Sequence, residues 1–305
     1  MTRSSLTPER YITYTRAALW SLAIIVVSGG AVRLTGSGLG CSDWPNCQED
    51  QLVADLEYHA LIEFVNRLFT GLVTAAVVMA VLGSRRRVPY RPDLKWWSWG
   101  LVAGVAAQVV LGGLLVKADL DPRFTIGHFL LSMVLVWNAV VLQHKAEQPT
   151  RPAPSPPRPA PNELRPWGRA TLALGTVLLV SGTIVTGAGP HSGSDEPQVA
   201  ARLPVDIREV TRIHSIVAIS LLVLVIAVLR KAVQAERADV RQRALAVATL
   251  LLTQGAIGYL QYFTGVPVLL VAVHLTLATL AWIAIVRLEL ATREPVPVQT
   301  PAAVA

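Results

Sequence analysis

Between Leu61 and Leu72 the chain reads L-I-E-F-V-N-R-L-F-T-G-L, which sets Glu63, Asn66, Arg67 and Thr70 at i, i+3, i+4 and i+7. That spacing gathers all four on one helix face. A carboxylate and a guanidinium near the start of an otherwise apolar segment are costly in lipid, so ionisable groups there mark a functional site. A carboxylate in such a place can exchange a proton with a bound substrate. Three histidines extend the set: His128, His214 and His274 each fall about five residues inside the end of an apolar block, a depth of roughly 5–9 Å. His214 and His274 could face each other across a bundle core, and two imidazoles so placed form a natural axial pair for a haem iron. Zinc would call for ligands at i, i+3 or i+4 on one helix, or for a Cys/His cluster, and neither is present. A lone histidine in a span also serves simply to bond a neighbouring helix. Two at repeat-related positions favour the haem. Arg33, Arg67 and Arg212 are placed to pair with haem propionates or to anchor the membrane interface.

The partner expected for His128 is not a histidine but Asn66, a poor iron ligand. A site there is five-coordinate or borrows another group. His59 lies two turns before Asn66, about 10 Å along the axis, and suits a boundary residue better than a ligand. Glu63 has no use in a symmetric electron-transfer pair of haems, but proton-coupled chemistry on a substrate would need it. Both cysteines, Cys41 and Cys47, sit in the loop G-S-G-L-G-C-S-D-W-P-N-C-Q. With five residues between them on an oxidising face, they favour a disulfide-closed loop, either a structural clip or a redox-active pair.

These residues need elements that hold them in a membrane. Of the 305 residues 52% are hydrophobic and only 15% charged, against about 25% charged in ordinary soluble domains. Eight apolar blocks are long enough to span a bilayer: 17–34, 61–82, 96–116, 124–143, 168–187, 209–229, 244–263 and 267–288. The net charge of +7 sits in short loops, the positive-inside distribution of a plasma-membrane protein rather than a nucleic-acid-binding face. Arg85, Arg86, Arg87, Arg91 and Lys95 mark one side; Asp43, Asp55, Asp119, Asp121 and Asp195 mark the other. Both termini are then expected in the cytoplasm. The first apolar run lacks an A-x-A cleavage site, so it reads as a retained helix.

Residues 148–166 hold eight of the twenty prolines and read as an extended cytoplasmic linker. The linker divides the chain into an N-terminal four-helix bundle, 1–147, with an outer loop at 34–60, and a C-terminal bundle with its tail, 167–305. Gln108, Gly112 and His128 recur as Gln254, Gly258 and His274, each 146 residues on; Ser28-Gly29 recurs as Ser181-Gly182. The expected fold is an all-α polytopic membrane protein of two tandem, repeat-related four-helix bundles.

The string S-G-G-A-V-R-L-T-G-S-G-L-G-C-S-D-W-P-N-C-Q, followed by I-E-F-V-N-R-L, resembles the haem A synthase family of bacterial membranes; T-R-I-H-S, G-H-F and V-H-L agree with it. The resemblance implies oxidation of the C8 methyl of haem O to a formyl group, giving haem A for cytochrome oxidase. It implies a haem b held by His214 and His274, a substrate haem on His128 beside Asn66 and Arg67, a catalytic carboxylate at Glu63 and a Cys41–Cys47 disulfide. A partnership with the prenyltransferase that makes haem O, and an electron donor of unspecified identity, also follow from it. Many members carry E-x-x-H-R where this chain has E-F-V-N-R. Two other classes predict different arrangements. A haem b cytochrome drawing electrons from quinol predicts haems on opposite membrane sides, and a carrier predicts a midplane site with broken helices.

Overall fold

A computed structural model describes residues 5–41, 43–48, 51–149, 163–196 and 201–293. Eight helices carry the chain: α1 Pro8–Leu34, α2 Tyr58–Arg86, α3 Pro92–Lys117, α4 Pro122–Glu147, α5 Arg165–Ala188, α6 Ile207–Gln234, α7 Ala238–Phe263 and α8 Val268–Arg293. All eight are long and apolar enough to cross a membrane, and the chain is a multi-pass membrane protein.

Each expected span lies inside an observed helix, to within one residue at Pro267. The helices outrun the apolar blocks because their starts are set by caps and prolines rather than hydropathy. Thr7 accepts the Arg10 N–H and Pro8 opens α1, nine residues before the apolar block. Asp121 and Asp206 accept the Arg123 and Arg208 N–H groups at the heads of α4 and α6, and proline also occupies the first turn of α3 and α5. A proline in the first turn forfeits no intrahelical bond. For the same reason Arg165 and Pro166, expected within the extended linker, already belong to α5. Residues 150–162 of that linker lie outside the described residues.

The helices pack as two rings. In one, α1 and α3 each lie against both α2 and α4; in the other, α5 and α7 each lie against both α6 and α8. Among the described residues the diagonal pairs α2/α4 and α6/α8 do not meet. The rings join through α1 and α4 against α8, and α4 against α5. Trp282 of α8, 6% exposed, donates its indole N–H to Met133 O of α4 at 2.9 Å.

Burial is uneven along the helix axes. In α4 the buried residues after Pro122 begin at Met133, in α6 at Leu221 and in α8 at Thr279, while in α7 they end at Leu251. One half of each ring is therefore a closed hydrophobic core. In the other half the side chains between the helices are only partly covered, and His128, His214 and His274 all lie there.

Candidate functional site

His128, His214 and His274 stand seven or eight residues into α4, α6 and α8, all at the same end of the molecule. In the second ring His214 and His274 project from diagonal helices and lie within electrostatic reach of each other. The Ser181 hydroxyl of α5 holds His214 Nδ1 at 2.9 Å, which leaves Nε2 as the nitrogen free to bind a metal. Gln254 of α7 donates to the carbonyl oxygen of His274 at 3.0 Å.

The first ring shows several of the same contacts, with a further bond from Gln108 to Ser132 Oγ. Gln108 of α3 donates to the carbonyl oxygen of His128 at the same 3.0 Å, and Ser28 of α1 bonds Asn66 Oδ1 at 2.7 Å, where Ser181 bonds His214. A glycine faces each imidazole. A Cβ at Gly112 or Gly258 would stand 3.4 Å from Cε1 of His128 or His274, and one at Gly182 would stand 3.0 Å from Cε1 of His214. At Gly29, the fourth position of the set, nothing lies within 4 Å. The amide of Asn66 does not fill the space that an imidazole takes in the other ring.

These features fit haem. His128 Nδ1 and His274 Nδ1 are both buried without a hydrogen-bond partner, a costly state for a ring meant only to join two helices. Glycines lie flat against the rings, the imidazoles project from helices that do not touch, and the layer around them is half-open. A planar macrocycle with axial nitrogen ligands suits that geometry.

On the same face of α2, Glu63 and Arg67 engage the loop before the helix. Glu63 is buried, and both of its oxygens are engaged: Oε2 accepts the Cys41 N–H at 2.8 Å, and Oε1 accepts Arg67 Nη2 at 2.6 Å and Nε at 3.1 Å. Arg67 sends its remaining donors to the carbonyls of Asp43 and Asn46, so all five of its N–H groups are occupied. The sequence left Arg67 either to a haem propionate or to the membrane interface. The observed partners of Arg67 are Glu63 and the loop instead. Cys41 and Cys47 form a disulfide, and both are fully buried. From this loop Trp44 lies on Gly113 of α3, beside the glycine that faces His128. The disulfide loop thus roofs the first ring and is pinned by Glu63 and Arg67.

Other contacts were not foreseen. His59 binds Ser37 Oγ through Nδ1 at 2.9 Å and approaches Asp195 through Nε2 at 3.7 Å; it clasps the α1–α2 and α5–α6 loops. Arg33 donates to His191 O at 2.9 Å, and His191 Nε2 meets Val266 O at 2.9 Å. Arg212 pairs with Glu209 on the exposed surface of α6. The Ser28/Ser181 match was visible as a repeat, but nothing in the sequence announced its hydrogen bonds.

The sequence also matches known proteins. A stretch of 128 residues is 27% identical to "Heme A synthase" of Lysinibacillus sphaericus (strain C3-41), covering 41% of this chain and 42% of that protein. A stretch of 131 residues is 29% identical to "Heme A synthase" of Shouchella clausii (strain KSM-K16), covering 42% and 43%. The chain thus spans less than half the length of these curated relatives. The family model for COX15-CtaA, described as cytochrome oxidase assembly protein, matches residues 12–286. With nearly its whole length so matched, the chain belongs to the COX15-CtaA family of cytochrome oxidase assembly proteins.

Proposed function

We propose that the protein is a haem A synthase, an oxidoreductase that converts the C8 methyl of haem O to a formyl group. The observation that supports it is the asymmetry of two otherwise matching rings. The second presents two facing imidazoles, His214 and His274. The first presents one, His128, opposite Asn66, with Glu63 one turn away. The first ring, with the disulfide loop as its roof, takes haem O on His128. In the second, His214 and His274 would hold a haem b, which would supply one-electron chemistry when bound.

Two hydroxylations, each converting one C–H of the methyl group to C–OH with one O2 and with two electrons and two protons from a donor, and each releasing one water, give a geminal diol that loses water to the formyl group. Glu63 is the carboxylate that exchanges protons with the substrate site at Oε2, the oxygen that also accepts the Cys41 N–H, with Arg67 holding it in position through Oε1. Asn66 belongs to the wall of the substrate site, and Arg67 contributes through Glu63 and the loop. Each ring with its loops is a functional unit. The basic cluster Arg85, Arg86, Arg87 and Arg91 puts the opposite ends of the rings, and both termini, in the cytoplasm. The prenyltransferase that makes haem O is the partner to supply the substrate. A transmembrane quinol cytochrome would need haems on both sides, whereas all three imidazoles share one end.

The test is to express the protein with a supply of haem O and analyse the extracted haems. Haem A is expected from the native chain, and none from Glu63→Gln at normal haem b content. Unchanged haem O from the native protein, with an electron donor present, would refute the assignment.

A further inference from the structure

We propose that the first ring contains a binding site for a diatomic gas ligand of the O2/CO type, lying between Asn66 and Gly29, with the Asn66 carboxamide as its hydrogen-bond donor. This rests on the reading that His128 holds a haem there, since the ligand would take the iron coordination position opposite His128.

Three observations carry it. First, Asn66 occupies the place of His214, so the first ring offers one imidazole where the second offers two. His59, the nearest alternative, is held at both nitrogens' reach by Ser37 and Asp195 in the outer-loop clasp. An internal sixth ligand is therefore missing from that face among the described residues. Second, there is room. His214 fills the space in front of Gly182 to within 3.0 Å of a Cβ position, whereas the space in front of Gly29 is open to 4 Å. Third, the amide is oriented. The single proton of Ser28 Oγ goes to its nearer acceptor, Asn66 Oδ1 at 2.7 Å, in preference to Ile25 O at 3.2 Å. With Oδ1 so engaged, the Nδ2 group is turned away from Ser28, and it donates no hydrogen bond among the described residues. An unshared N–H donor beside an open axial position stabilises a bound ligand whose outer atom carries partial negative charge.

The experiment uses purified protein carrying haem in both rings, reduced with dithionite and titrated with CO. A bis-imidazole haem takes up CO only after one imidazole leaves the iron, so rapid binding reports the first ring. The native protein is expected to bind one CO. Asn66→His restores the imidazole of the other ring and is expected to abolish CO binding and add a second low-spin haem spectrum. Asn66→Ala keeps the open position and is expected to retain CO while its C–O stretch moves to higher frequency, as a lost donor weakens back-donation. His59→Ala is expected to change nothing. CO binding that survives in Asn66→His, an unmoved stretch in Asn66→Ala, or stronger CO binding in His59→Ala would each overturn the proposal. His128→Ala separates this failure from that of the parent reading. If His128→Ala leaves haem content and CO binding intact, the haem is not on His128. If it removes one haem but the native protein binds no CO, only the gas site fails.

Discussion

Removing the Glu63 carboxylate should open the disulfide loop while leaving the disulfide itself intact. Glu63 is the acceptor for one backbone N–H of the loop, at Cys41, and for two donors of Arg67, whose other donors hold the Asp43 and Asn46 carbonyls. The carboxylate side chain is 7% exposed and the guanidinium 22%. Breaking a buried ion pair by deleting one member costs about 3–5 kcal/mol. Arg67 keeps its two carbonyl partners in Glu63→Ala, so the lower end applies, ~3 kcal/mol. At about 1.4 kcal/mol per factor of ten, local opening becomes roughly 100-fold more frequent. Hydrogen–deuterium exchange read by mass spectrometry on protein in nanodiscs measures it. Amides in residues 37–48 should exchange about 100-fold faster in Glu63→Ala, while residues 133–142 in the closed core serve as an unchanged reference. Glu63→Gln keeps the shape but loses the charge, and should fall between. Loop exchange in Glu63→Ala within about threefold of native, a difference under 1 kcal/mol, would show that the carboxylate is not the anchor.

Three further outcomes are expected. Ser181→Ala removes the group that orients His214 through Nδ1, and such losses weaken metal binding about 10–100-fold; haem titration of the washed apoprotein measures it, and unchanged affinity would remove Ser181 from the site. Gly182→Ala places a methyl 3.0 Å from the His214 ring, whereas Gly29→Ala meets nothing within 4 Å; the low-spin haem resonance should shift in the first variant only, and a shift confined to the second would invert the assignment of the rings. Trp282→Ala deletes a buried side chain and its bond to Met133 O between the rings, a cost of about 3–5 kcal/mol; thermal unfolding should begin at lower temperature, and an unshifted transition would mean that the two rings do not depend on that contact.

How far the sequence could be read follows from the range of each signal. The eight helices were legible because a block of about 20 apolar residues has few other solutions in lipid. Their ends were not, because Thr7, Asp121 and Asp206 act by single side-chain caps that hydropathy does not register. His128 and His274 were legible through a repeat that keeps one offset over three residue types, and His214 through its place opposite Asn66. The partners of Glu63 were not. Cys41 lies 22 residues from it in the chain, and the two meet only because Gly40 lets the loop approach α2, where a Cβ would stand 2.3 Å from His59 O. The clasp of Ser37 and His59 with Asp195 is equally invisible, since Asp195 comes from the other half of the chain and packs beside Gly36 at φ +72°.

What separates the rings chemically is therefore very small. Gln108, Gly112, His128 and Ser28 match Gln254, Gly258, His274 and Ser181 in type and in contact. The differences fall one turn apart on a single helix: Asn66 against His214, and Glu63 against Thr211. The first exchange trades an imidazole for an amide and leaves the space before Gly29 open. The second supplies a carboxylate where the other ring has a hydroxyl that cannot ion-pair. A carboxylate alone in that layer would be costly to bury, and the chain meets the cost with Arg67 one turn on and a backbone N–H from a loop closed by a disulfide. A Thr211→Glu change in the second ring should accordingly not transfer the activity of the first. His214 would still fill the axial face, and Ser215, not arginine, stands where Arg67 would be needed. Haem A formation in a His128→Ala, Thr211→Glu protein would contradict this, because it would mean that the carboxylate needs neither the open face nor the loop that holds it.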